Sequence, residues 1–276
     1  MGWHGHLTLR YRRDGKRTIV HDRHTGPLRV LQSLYPEAPE VCHNVLVHPP
    51  GGIVGGDVLE IDLAMAEDSR ALITTPGAAR FYRSAGERAL QQVDARLDAG
   101  ARLEWLPLET ICHRSSHGEN RLRFTLAPGA EMIGWDVLAL GLPASGERFD
   151  RGTTTQCIEL PGVWLERGVI DGEDTRLLDS PLGLAGHRAL ATMWFAAGSP
   201  IDIARRDRLL DAARGVSAGH ELERLCGVTA PQSKCIVLRV LAPRVEPAMT
   251  LLVAVWKVWR EVAWSLAPSA PRVWRT

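Results

Sequence analysis

Cys112, His113 and His117 stand close together in the sequence, and one thiol with two imidazoles could supply three ligands to a borderline ion such as nickel or zinc. A metal-dependent hydrolase could use such a set, so these three residues form a candidate tight metal site. Two features oppose it. Arg114 and Arg121 add positive charge, and the run Arg114-Ser115-Ser116-His117-Gly118-Glu119-Asn120 has the composition of a solvated loop. His21 and His24 form a second histidine pair at metal-like spacing. The acids suggest different chemistry. Asp136 follows Trp135 in an apolar run from Ile133 to Leu140, and Glu166 lies within Val163-Trp164-Leu165-Glu166-Arg167. A carboxylate inside an apolar strand must be paired, hydrogen-bonded or facing water. It then serves either in a structural ion pair or in a polar wall that passes hydrated cations without trapping them. Arg167 adjoins Glu166, but on a strand the two point to opposite faces.

A glycine-rich segment, His48-Pro49-Pro50-Gly51-Gly52-Ile53-Val54-Gly55-Gly56-Asp57, can be neither a helix nor an ordinary strand. It reads as a shaped turn that another backbone or a ligand can approach closely, with the Asp57 carboxylate at its exit. It lacks the Lys-Ser/Thr of a phosphate-binding P-loop and the spacing of a dinucleotide fingerprint, so a structural turn is the favoured reading. No G-x-S-x-G elbow and no H-E-x-x-H motif supports classical catalysis.

The elements that must position these residues are mostly short strands. Leu59–Leu63, Val93–Leu97 and Leu122–Leu126 alternate apolar and polar residues, the pattern of half-buried strands. A weak repeat overlies them, with Met65, Leu97 and Leu126 each opening a similar strand–turn–strand unit, at spacings of 32 and 29 residues. Such a period suggests stacked supersecondary units, the alternative being a plain β-sandwich with look-alike hairpins. After residue 198 the pattern changes. Ser199-Pro200-Ile201-Asp202 reads as a helix start, with Gly215 as its end, and a strand follows at Cys235–Leu241. Pro247 opens a second helix, closed by Pro268. Its Trp256, Trp259 and Trp264 do not share one face, which predicts that one of them is presented outward.

With 276 residues, 45% of them hydrophobic, the chain can bury a substantial core. A formal charge of +1 argues against bulk attraction to nucleic acid or to an acidic membrane. Five widely separated cysteines, an odd number, read as reduced thiols of a cytoplasmic protein. The N-terminal residues lack the apolar core of a secretory leader, and the apolar run Leu251–Trp256 is too short to span a bilayer.

The glycine segment, followed by Thr75-Pro76-Gly77-Ala78-Ala79-Arg80-Phe81-Tyr82-Arg83-Ser84, resembles the urease accessory protein D family (UreD, also called UreH). Further matches are Gly26-Pro27-Leu28, Cys42-His43, Leu103–Ile111, Trp135-Asp136, Gly141–Glu147, Leu165–Arg167 and the ending Pro271–Thr276, so the likeness covers most of the chain. It departs at Leu142, where the family usually has arginine, and over Cys112–Asn120. The resemblance implies one domain over 1–276: an irregular β-helical stack of sheets through residue 198, closed by a helix–strand–helix segment from 199 to 276. It implies a chaperone and scaffold for nickel insertion into urease, and not an enzyme. Partners would be the apo-urease structural subunits, the helical accessory protein F and, through F, the accessory GTPase G, with no nucleic acid and no membrane. Nickel(II) would be transient cargo, with no tightly bound cofactor. Asp57, Asp136 and Glu166 fall where the family places acids along an internal nickel passage, and Gly51, Gly52, Gly55 and Gly56 would shape a loop beside it.

Overall fold

Tight turns reverse the chain every five to twelve residues, and the result is a wound coil of strands. The computed structural model describes residues 2–275; Met1 and Thr276, the two ends of the predicted domain, lie outside the described residues. The chain opens with a hairpin of β1 (His4–Asp14) and β2 (Arg17–Thr25), followed by β3 (Arg29–Val30) and β4 (Val41–Val47). The first coil is β5 (Val58–Met65), β6 (Arg70–Thr74) and β7 (Ala79–Phe81). The second is β8 (Ala89–Leu97), β9 (Arg102–Leu106) and β10 (Thr110–Cys112). The third is β11 (Ser116–Leu126), the long β12 (Glu131–Leu142) and β13 (Glu147–Arg148). Then come β14 (Gly152–Leu160), β15 (Trp164–Asp171), the short α1 (Thr175–Asp179) and β16 (Ala189–Ala197). The chain ends with α2 (Ile203–Ser217), β17 (Cys226–Gln232), β18 (Cys235–Ala242) and α3 (Val245–Trp264).

Two sheets result. One runs β15-β14-β11-β8-β5-β1-β2, and the other runs β17-β18-β16-β12-β9-β6-β4-β3. Within the coil the neighbours are parallel, and their register reproduces the sequence repeat: Met65 lies beside Leu97, and Leu97 beside Leu126. The second sheet repeats the same offsets, with Arg70 beside Arg102 and Arg102 beside Glu131. The fold is therefore the predicted mainly β stack with its two longer helices near the C-terminus.

Alternation along each strand fills the space between the sheets. Leu9, Ile61, Val93 and Phe124 meet Ile73, Leu103, Trp105, Met132 and Trp194 in one core. The opposite face of the second sheet, through Trp135, Val137, Met193, Phe195 and Leu238, packs on Leu209, Leu251, Leu252, Val255 and Trp259 of the helices.

Several local expectations need correction. Asp202, not Ser199, caps α2, its side chain accepting from the Arg205 N–H at 3.0 Å. The helix runs through Gly215 to Ser217, because nothing at Gly215 supplies the reversal needed to stop it. In α3 Pro247 sits inside the first turn, where its missing N–H costs nothing. No tryptophan of α3 points outward: Trp256 and Trp259 are fully buried and Trp264 is 7% exposed. Each indole N–H finds an acceptor, in Glu104, the Leu209 carbonyl and Glu131 respectively, and Trp274 of the C-terminal tail covers Trp256 at 5.5 Å between ring centroids. Ser116–Asn120 is not a loop but the start of β11: His117 faces Thr153, Glu119 accepts from Arg88 and Asn120 donates to Asp136, while the Ser116 hydroxyl is buried without a hydrogen-bond partner among the described residues.

Candidate functional site: a polar band between the sheets

The glycine segment and the Thr75–Ser84 segment, far apart in function-bearing composition, meet as one structural unit. The Ile53 N–H donates to the Arg80 carbonyl at 2.7 Å, and the Tyr82 N–H to the Ile53 carbonyl at 2.9 Å. A β-carbon on Gly52 would run into the Tyr82 ring, and one on Gly55 into the Ser84 side chain. Gly51 and Gly56 hold positive φ values of 76° and 89°, which glycine adopts without strain. The sequence requires glycine here because the two segments approach so closely.

Behind this unit lies a cavity of about 310 Å³ between the sheets. Gly51, Ile53, His48 and Pro76 border it on one side, and Trp105, Asn120 and Asp136 line its interior. Burial lowers the pKa of His48, partly offset by the Asp57 charge, so its imidazole stands neutral near physiological pH.

Asp57 is 7% exposed, yet its carboxylate is already engaged. One oxygen accepts from the Trp3 N–H at 2.7 Å and the other from the Val54 N–H at 3.0 Å. Asp57 thus fastens the glycine turn and acts on the cavity through His48 rather than as one of its lining groups.

Asp136 projects inward from β12. It accepts from Asn120 Nδ2 at 3.1 Å and from Gln156 Nε2 at 2.6 Å, while Gln91 Nε2 donates to Asn120 Oδ1 at 3.2 Å. Gln91, Asn120 and Gln156 are register partners across β8, β11 and β14, so the coil stacks three amides in one row. On the facing sheet, Asp136, Thr192 and Arg239 form the matching row across β12, β16 and β18. Glu166, inward on β15, closes the band: Thr192 Oγ1 donates to it at 3.3 Å, and the exposed Arg239 guanidinium pairs with it. Its partner is Arg239 and not the adjacent Arg167. The band crosses from the cavity to the surface through an otherwise apolar core. Two predicted acids, Asp136 and Glu166, belong to it. The amides and His48 went unmarked in the sequence; only the shared row across the coil distinguishes the amides, and only its place beside the cavity distinguishes His48, from ordinary polar residues.

Burial raises the Asp136 pKa; Gln156 and Asn120 oppose it, and the Glu166 charge adds to it. A single carboxylate with two amide donors offers a cation attraction without a closed ligand cage.

The tight metal site at Cys112, His113 and His117 is not assembled. Among the described residues no three His, Cys, Asp or Glu side chains are placed to hold a metal ion. Cys112 is fully buried, donates to Thr154 Oγ1 at 3.4 Å, and has its thiol pushed up to about 12 by burial, so it stays protonated. His113 Nδ1 faces Glu147 at 3.0 Å, whereas His117 Nδ1 faces Thr153 at 3.0 Å. Alternation on different strands sends the three side chains apart. His21 and His24, three apart on the exposed β2, likewise point to opposite faces. All five cysteines are free thiols. Among the described residues no helix is long and apolar enough to cross a membrane.

A family model described as UreD urease accessory protein matches residues 4–275. Similar relatives share that description. The urease accessory protein UreD of Leptothrix cholodnii is 61% identical over 278 residues, covering 100% of both chains. That of Variovorax paradoxus is 58% identical over 276 residues, again with 100% of both covered. The Methylibium petroleiphilum protein is 55% identical over 296 residues at the same coverage.

Proposed function

The chain belongs to the UreD family of urease accessory proteins, and from that premise we propose that it conducts nickel(II) along its interior polar band during urease maturation. In this reading it is a scaffold that binds the apo-urease structural subunits on one side and accessory protein F on the other. The accessory GTPase G, docked through F, supplies the ion. Nickel is cargo, and no resident cofactor is required.

The observation that carries the reading is the placement of Asp136 and Glu166 along one polar band that leads from the cavity behind the glycine loop, Asp136 held by two amides and Glu166 by Thr192, the register partner of Asp136. A hydrated divalent ion is attracted by successive carboxylates and solvated between them by amide and hydroxyl oxygens. None of these positions offers the three or four convergent ligands that would trap it. Asp57 and the glycines keep their part in a supporting form: they hold the rim of the cavity and set His48 against it.

A second reading, a purely structural adaptor with nickel moving through solvent, is favoured by one detail. Arg239 already occupies Glu166 at the surface end, and a guanidinium there repels a cation.

The test is co-purification of the tagged chain with co-expressed apo-urease subunits and accessory protein F, followed by urease assay with nickel and GTPase G present. Co-elution, with activity that vanishes when this chain is omitted, supports the maturation scaffold. Asp136→Asn then separates the two readings: the passage reading expects intact assembly and reduced activation, and unchanged activation leaves the adaptor.

A further inference from the structure

The corner loops of the coil stack as regularly as its strands. The Ser84 N–H donates to the Ser115 carbonyl at 3.0 Å, and the Ser115 N–H to the Arg151 carbonyl at 2.8 Å. Successive corners therefore bring Arg83, Arg114 and Arg151 together, Arg114 level with Arg83 and Arg151 level with Ser115, one residue further along. They border an open pocket of about 450 Å³ whose walls also include Tyr82, His113 and Glu147.

This pocket is poorly suited to a cation, and its charges are incompletely answered. Arg114 is paired with Asp150 at 2.6 Å, and Glu147 accepts from the Arg114 N–H at 2.7 Å and faces His113. Arg83 and Arg151 are exposed and make no side-chain hydrogen bond or ion pair among the described residues. The His113 ring is stacked on Tyr82 at 5.1 Å, with Nδ1 turned to Glu147, while its buried Nε2 has no partner. Ser115, between the two free arginines, holds a left-handed φ of 60°, a conformation that costs a serine on the order of 1 kcal/mol or more.

We propose that this corner, through Arg83, Arg151 and the Tyr82 ring that His113 backs, docks an extended acidic segment of a partner protein. The ligand class follows from geometry. Neighbouring rungs of a parallel stack lie about 4.8 Å apart, so the two free arginines are set about 10 Å apart at the backbone. One carboxylate cannot engage both. Two carboxylates two residues apart on an extended peptide are separated by about 7 Å, a span that long guanidinium side chains close readily. Glu147 on the wall disfavours dianionic phosphate more than a carboxylate. The exposed Tyr82 ring gives the apolar stem of a glutamate a surface to lie on. The proposal does not depend on the nickel passage.

The experiment is fluorescence anisotropy of the full chain with a fluorescein-labelled peptide of alternating Glu and Ala, beside its Gln/Ala counterpart, at fixed low ionic strength. The Glu peptide should bind and the Gln peptide should not. R83E and R151E should each weaken binding about tenfold or more, as loss of a charge-assisted pair predicts, while R96E, on an exposed strand face far from the pocket, should leave it unchanged. Thermal melts check that each variant is folded, and R83Q and R151Q replace any that is not. Three results would overturn the proposal: no binding of the Glu peptide, equal weakening by R96E, or displacement of the peptide by inorganic phosphate beyond the effect of chloride at equal ionic strength. The last would mark a phosphate site instead.

Discussion

Burial holds the Asp136 carboxyl above the ordinary aspartate range, the amide donors Gln156 and Asn120 pull it back, and the Glu166 charge pushes it up again. The folded protein therefore binds this proton more readily than the unfolded chain. Ionised Asp136 costs stability once the pH rises above the ordinary aspartate range, and that cost is absent below it. Asp136→Asn should accordingly melt no lower than the parent at neutral pH. It should still reduce nickel-dependent urease activation about tenfold, equivalent to ~1.4 kcal/mol of lost attraction for the ion. A coupled fall in melting temperature and activation would point to simple unfolding. At the other end of the band, Arg239→Ala frees Glu166. The passage reading expects activation to hold or rise, and a fall in the same assay would favour the adaptor.

Among the elements, the glycine turn owes its form to the segment packed on it. Gly52→Ala must displace the Tyr82 ring, and overpacking of this kind costs ~1–3 kcal/mol, measurable by urea denaturation. Gly77→Ala meets open space and is expected to leave the midpoint within error, a control in the neighbouring segment. Helix α3 is held by charge as well as by its apolar stripe. Arg260 is fully buried, donating to Glu37 at 2.7 Å and to the Ala267 carbonyl at 2.7 Å, with Glu104 at 3.0 Å. Burial pushes Glu104 up even so, while for Glu37 the same effect is outweighed by His43 and Arg260, which hold it below the usual range. Arg260→Ala leaves the buried Glu104 with only the Trp256 N–H and the partly buried Glu37 with only His43, and should cost ~3–5 kcal/mol, read from the same denaturation curves. Replacing Arg260, Glu37 and Glu104 together with apolar residues should recover much of that loss, because no unpaired charge is then left inside.

At the scale of the whole molecule, parallel stacking converts a sequence period into spatial rows. Because the coils repeat at 32 and then 29 residues, Gln91 and Asn120 come into register, and β14 adds Gln156 to the row. One residue of slip would turn the amides outward and aim their neighbours at Asp136. Inserting a single residue in the tight turn at Asp98–Gly100 is therefore expected to abolish activation even where the chain still folds, checked by circular dichroism beside the urease assay.

The alternation of Leu59–Leu63, Val93–Leu97 and Leu122–Leu126, the repeat at Met65, Leu97 and Leu126, and the family motifs were enough to establish a stacked β protein of the urease accessory D type. These signals are local, or they repeat at a fixed interval, so they survive in one dimension. Asp136 and Glu166 were legible for the same reason, as acids inside apolar runs. Their common band was not, because its members come from β8, β11, β12, β14, β15, β16 and β18, and nothing but register brings them together. The separation of Cys112, His113 and His117 was hidden by their nearness in sequence, since a change of strand between His113 and Ser116 sends the side chains different ways. The tryptophans of α3 were misjudged because a helical projection shows where indoles point but not that a sheet and the C-terminal tail both cover them. Sequence fixes the periodicity of each element, while which side chains share a space depends on how the elements are stacked, and only the tertiary structure decides that.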